Sequence, residues 1–172
     1  MRVRVVAPDA SWPQEFQRES ADIARMLGGL VSAVHHIGST SVPGIFAKPI
    51  IDILLEVSEI SALDSASAQM QQLGYESLGE YGIERRRYFR KRKSEASGVR
   101  THHVHAFRHG DPHVRRHLAF RNYLIAHPDV AAAYSTLKQE LARRYPDDIE
   151  AYMDGKNPFI TTHEARALAW SA

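Results

Sequence analysis

The sequence predicts an α+β fold, with strands and helices alternating in the front half and a helical last third. Three observations lead there. Residues 31–57 and 75–107 hold β-branched runs of strand length bounded by glycine, serine and proline. Beyond residue 111, apolar side chains recur at helical spacing instead. The 172 residues are 44% apolar and 24% charged, which excludes a mostly disordered chain and leaves room for a proper core. No repeat, low-complexity tract or linker interrupts residues 1–172, so one domain is expected. The absence of cysteine excludes disulfides, thiolate chemistry and Cys-based zinc, and fits a cytoplasmic protein. No run reaches the roughly 20 apolar residues of a membrane span, and the N-terminus lacks the apolar stretch of a signal peptide. A net charge of +2 gives no bulk reason to expect nucleic acid as a partner.

Taken in order, Arg2 to Ala7 alternates basic and apolar residues and reads as a short edge strand. Ser11 suits an N-cap, with Pro13 early in the helix and Gln14 at its third position, a capping-box pattern. Phe16, Ile23, Met26 and Leu27 follow near helical spacing, and Gly28-Gly29 stops the helix. Trp12 and Phe16 read as packing anchors. Val31 to Ile37 is a strand. A turn, Gly38-Ser39-Thr40-Ser41, leads through Val42-Pro43-Gly44 into Lys48-Pro49 and the apolar run 50–57, a buried central strand. Glu59 to Leu73 reads as one amphipathic helix ended by Gly74, and Tyr75 begins a strand. Glu84 to Lys93, the most basic run, interleaves aromatics with cations and suits a strand with one wet face.

Val99 to Phe107 is a further strand. Its alternation puts Thr101, His103, His105 and Phe107 on one side and His102, Val104 and Ala106 on the other. Asp111-Pro112 opens a helix bearing Leu118, Phe120, Tyr123 and Leu124. His127-Pro128 ends it. A second helix runs from Asp129 to Arg144, with Val130, Ala133, Tyr134, Leu137 and Leu141 inward. Pro146 interrupts. A short segment from Asp147 towards Tyr152 and a closing helix from Thr162 to Trp170 complete the chain.

The chemistry centres on residues 36–57. An acid inside an apolar strand is costly to bury unless it is paired or holds a cation. Asp52 is such an acid, and the hydroxyl-rich turn before it suits an anion. The same turn also suits hydroxyls that bond their own backbone. Lys48 offers a point charge for phosphate or, equally, a solvated lysine. If the strand of His103 and His105 lies beside that of Asp52, the three converge as two imidazoles and a carboxylate, a donor set for a divalent metal. Hydrogen-bonded structural histidines are the alternative.

Residues 36–57 resemble the signature of the GrpB family, a branch of the nucleotidyltransferase superfamily. The resemblance continues through Gly74-Tyr75, Gly82-Ile83, Arg87-Tyr88-Phe89, Arg100 to His105, Arg116 to Leu124, and Lys156 with Phe159-Ile160. It implies a nucleotidyltransferase-like mixed β-sheet flanked by helices. It implies a nucleoside triphosphate held by Gly38, Ser39, Thr40, Ser41, Lys48, Arg87 and Arg116, with Mg²⁺ or Mn²⁺ on Asp52, His103 and His105. The same three residues carry catalysis, with Asp52 or a nearby histidine as base, and a small acceptor receives a nucleoside monophosphate. The superfamily pattern places a second acid two residues from the first. Here Leu54 or Ile50 occupies that position, so a two-metal mechanism is in doubt. Relatives fused to dephospho-coenzyme A kinase suit the rival reading, a non-catalytic nucleotide- or metabolite-binding module. An RNA-binding surface on Arg85 to Lys93 is weaker, the cations being confined to one run.

Overall fold

Five strands form one mixed sheet in the order β1-β2-β5-β4-β3. They are β1 (Val31–Ile37), β2 (Ile51–Val57), β3 (Tyr75–Ser77), β4 (Arg87–Arg92) and β5 (Arg100–Arg108). The structure is a computed structural model and describes residues 2–172. β2 runs antiparallel to β1 and parallel to β5, with Asp52 paired to Ile37 on one side and His103 on the other. β4 is antiparallel to both β5 and β3. Six helices surround the sheet: α1 (Trp12–Leu27), α2 (Ile60–Ser65), α3 (Ser67–Gln72), α4 (Pro112–Ala126), α5 (Pro128–Arg144) and α6 (Ile149–Trp170). The chain is therefore α+β with a helical last third, as its periodicities indicate.

Strand alternation sorts the core into two layers. Ile51, Ile53, Leu55 and Val57 of β2 join Val104 and Ala106 of β5 against α1, α2 and α3, where Ile23, Leu63 and Met70 are fully buried. Asp52, Leu54 and Glu56 face the other way. There Leu54 packs with Ile37, Phe107 and Val114, so α4 covers that side. α5 and α6 extend the α4 layer and bury Tyr134, Leu141 and Tyr152. The Asp52 and Glu56 carboxylates thus lie on the face that α4 covers.

Several local expectations need correction. Residues 2–7 form no strand of the sheet. Val6 makes a single bridge to Ala47 and Val3 donates to the Pro146 carbonyl. Ser11 precedes α1 but caps nothing. It is itself helical in φ/ψ, its hydroxyl turns to Glu15, and its own N–H is taken by Asp9. The stretch 59–73 breaks at Ala66, where the Ser67 hydroxyl donates to the Asp64 carbonyl. Along α5, Ala133 is exposed while Ser135 and Lys138 are buried. The last two helical segments are one helix that runs through Pro158. A proline removes one hydrogen bond. The helix continues because burial of Tyr152, Lys156 and Ala167 holds both sides of the gap.

Candidate functional site

Asp52 is the centre of the site. The parallel register of β2 and β5 brings His103 beside it and His105 two residues further. The Asp52 Oδ1 lies 3.5 Å from His103 Nδ1 and 3.4 Å from His105 Nε2. Its side chain keeps 27% of its surface exposed, so the carboxylate is reachable and not sealed behind aliphatic groups. Burial would push this carboxyl up. Hydrogen bonds from His103 and His105 outweigh that and hold it well below the usual carboxylate range. Asp52 therefore stays ionised, and it is a weak proton acceptor for the same reason.

Gly38 holds the other side of the carboxylate. Its φ is +73°, and a Cβ added there would lie 2.5 Å from Asp52 Oδ2. Only glycine lets the turn approach this closely. Of the turn hydroxyls, Thr40 is spent internally: it donates to the Ile50 carbonyl and meets His36 Nε2 at 2.9 Å. Ser41 donates to the Gly38 carbonyl. The backbone-bonding alternative thus describes Thr40 and Ser41. His36 belongs to the packing: it stacks on Phe16 at 4.8 Å, and burial pushes it down to about 4.

The hydrogen bonds also assign the His105 proton. A guanidinium only donates, and Arg86 Nη1 lies 3.3 Å from His105 Nδ1. His105 Nδ1 is therefore the acceptor, and its Nε2–H donates to Asp52. His103 approaches the same Asp52 oxygen with Nδ1 at 3.5 Å, which turns its Nε2 away from the carboxylate. That atom is buried without a partner. His103 is thus an imidazole oriented by a carboxylate, with one unused ring nitrogen.

The expected metal set is not assembled. Both histidines spend a nitrogen on the same carboxylate oxygen, and Leu54, where a second acid is needed, is fully buried among apolar side chains. Glu56 is the next acid on that face. It lies four residues along the strand, about 13 Å away, and is bracketed by His35 at 2.5 Å and His109 at 2.9 Å. Among the described residues no group of three His, Asp or Glu is placed to hold a metal ion. Two imidazoles and one carboxylate also suit Mg²⁺ poorly, since it demands oxygen ligands.

Two further expected residues lie elsewhere. Arg87 pairs in register with Ala106, which puts it on the opposite face, and its guanidinium takes both oxygens of Asp64. Arg116 pairs with Glu164 at 3.2 Å and hydrogen-bonds His113, with no direct contact to Asp52. The basic run around Arg87 is likewise spent on acids: Arg85 on Asp111, Arg90 and Arg92 on Glu76, Lys91 on Glu19.

Of three lysines gathered beside the site, two come from far along the chain. Lys138 is 1% exposed and donates to the Phe46 carbonyl; burial, with Lys156 and Lys48 nearby, pushes it down to about 7. Lys156 sits 4.9 Å over the Tyr152 ring and is pushed down to about 8 by burial and Lys48, with Asp52 acting against this. Lys48 lies 5.6 Å over the same ring and is also lowered by burial. None of the three has a carboxylate partner among the described residues. Lys138 was missed because a lysine on the inner face of a helix reads as a break in the apolar stripe. Arg86 was missed because it looks like one more surface cation, yet it is 7% exposed.

This lysine group, the Gly38 turn and the Asp52–histidine centre lie within a chain that matches the model of the GrpB protein family over residues 2–166. The chain belongs to the GrpB family. The GrpB protein of Enterococcus faecalis, known from a crystal structure, is 41% identical, superposes with a TM-score of 0.92, and covers 98% of this chain and 99% of its own. The UPF0157 protein YqkA of Bacillus subtilis is 43% identical over 98% of this GrpB chain, which spans 48% of that protein. A dephospho-CoA kinase of Mycolicibacterium paratuberculosis is 29% identical over 98% of this chain and 47% of its own length. The Cid1 poly(U) polymerase superposes at 10% identity with a TM-score of 0.45 over 77% of this chain. Among the described residues of this GrpB family member no helix is long and apolar enough to cross a membrane.

Proposed function

We propose that this GrpB protein binds a nucleoside triphosphate, with the phosphate chain against Lys48, Lys138 and Lys156 and the reacting end over Asp52. The observation that carries this reading is the lysine trio. Three ammonium groups, desolvated and without acid partners, are costly to gather unless an anion neutralises them. The magnesium or manganese belongs to this reading as the cation of the nucleotide substrate; the protein donor set supplies no cradle for it.

The transfer that fits is attack by an acceptor hydroxyl on the α-phosphorus. The bond from that phosphorus to the bridging oxygen breaks, pyrophosphate leaves, and the hydroxyl proton passes to the Asp52–histidine group, in which Asp52 stabilises a protonated imidazole. The rival reading keeps the binding and drops the transfer. Leu54 in the place of a second acid favours it, as does the occurrence of the same domain within a dephospho-CoA kinase.

Calorimetry with ATP, with and without Mg²⁺, tests the binding. Lys138→Met and Lys156→Met each weaken ATP at least tenfold, while Arg87→Gln, on the far face, leaves it unchanged. No ATP binding by the wild type, or equal binding by the lysine variants, refutes the proposal. Asp52→Asn decides between the two readings. It abolishes pyrophosphate release while ATP still binds if transfer occurs; a wild type that releases none is the non-catalytic module.

A further inference from the structure

A cavity of about 1220 Å³ opens beside Lys48 and His103. Its walls are residues 2–5, the approach to β2 at Lys48–Ile50, the start of β5 with the loop before it, and the end of α5. Five cations line it: Arg2, Arg4, Lys48, Arg100 and Arg143. No aspartate or glutamate does. The whole chain carries only +2, so outside this cavity acids outnumber lysines and arginines. None of the five makes an ion pair or a side-chain hydrogen bond among the described residues, in contrast to Arg85, Arg87, Arg90, Lys91 and Arg92. Arg100 is the sharpest case, because its Nε is buried without any acceptor. Between the cations the lining is apolar, with Val3, Phe46, Ile50, Val99 and Ile149.

Like charges gathered around one concave space repel each other unless an anion enters. The cavity exceeds the ordinary range of small-molecule sites and is large enough for an extended ligand. We propose that it is a second binding site, for a small organic phosphate with an apolar body. The arginines take the phosphate as fork donors, and the apolar wall takes the body. Because His103 and Lys48 are shared with the nucleotide reading, the ligand is placed as the acceptor of the transferred group; that placement rests on the nucleotide reading above, whereas the binding site itself, built on Arg2, Arg4, Arg100 and Arg143, does not.

The test uses 1-naphthyl phosphate as probe, with 1-naphthol and inorganic phosphate as its two halves. Calorimetry on the full chain is expected to show naphthyl phosphate binding at least tenfold tighter than either half. The double variant Arg100→Gln, Arg143→Gln is expected to lose at least tenfold in affinity with an unchanged melting temperature, since neither arginine holds a partner. Saturating ATP is expected to leave the probe bound. Displacement by ATP would make the cavity part of the nucleotide site and overturn the proposal. Absence of probe binding overturns it too, as does displacement by a single-stranded oligonucleotide whose affinity depends on the same arginines. Probe binding retained while ATP fails to bind refutes the nucleotide reading and leaves the second site standing.

Discussion

Replacing Gly38 with alanine is the most informative single change, because structure supplies both its size and its control. The Gly38 φ of +73° with ψ of −176° lies in a region open almost only to glycine, and forcing another residue into it costs about 1–3 kcal/mol. The new Cβ would also meet Asp52 Oδ2 at 2.5 Å, Cβ at 2.9 Å and Cγ at 3.0 Å. Asp52 cannot retreat freely, since its strand is hydrogen-bonded on both sides. Overpacking of this kind adds about 1–3 kcal/mol. Gly44 is the control, with φ of +78° and no atom within 4 Å of an added Cβ. Gly44→Ala therefore carries the backbone cost alone. In urea unfolding, Gly38→Ala is expected to lose about 2–6 kcal/mol, and roughly 1–3 kcal/mol more than Gly44→Ala. It also displaces the carboxylate from His103 and His105. Loss of stability equal to that of Gly44→Ala, with unchanged ligand binding, would show that the turn does not press on Asp52 and that the two do not share one cavity wall.

The lysines predict a pH dependence of binding. Lys138 and Lys156, pushed down to about 7 and about 8, lose their charge in the free protein as pH rises through those values. ATP affinity measured calorimetrically is expected to fall between pH 6.5 and 9, with proton uptake on binding near pH 8; a flat profile in the wild type would place the phosphates elsewhere. The stability sign is opposite. The folded chain binds fewer protons at Lys138 than the unfolded one from about pH 7 up to the ordinary lysine range, so the Lys138 contribution to stability rises with pH there and vanishes in Lys138→Met. Glu56→Gln, which leaves His35 and His109 facing an amide in a mostly buried site, is expected to cost about 1–3 kcal/mol by chemical denaturation without changing ATP affinity.

Strand positions and faces were legible in the sequence wherever periodicity was local. Val31–Ile37 reads as a strand from its apolar pattern alone, and the alternation of 99–107 already separates His103 and His105 from Val104 and Ala106. The helix boundary at His127-Pro128 and the cap at Asp111 follow from proline and capping chemistry. The interruption at Pro146 is real, between Arg144 and Ile149; the break that proved false, between Tyr152 and Thr162, was a local signal overridden by packing on both sides of one long helix.

Composition, strand alternation and capping residues thus determine the fold class and which side chains share a face, because each depends on neighbours a few residues apart. Tertiary structure alone decided how the charges are used. In the dense basic run at 85–92, every cation but Arg86 turned out to be paired with Asp64, Glu76, Asp111 or Glu19, acids that in most cases come from distant parts of the chain. Lys48, Lys138 and Lys156, scattered over more than a hundred positions, are instead left together without a counter-ion. Whether a cation is paired depends on what folding places within about 4 Å of it, and that distance is invisible in the order of the residues.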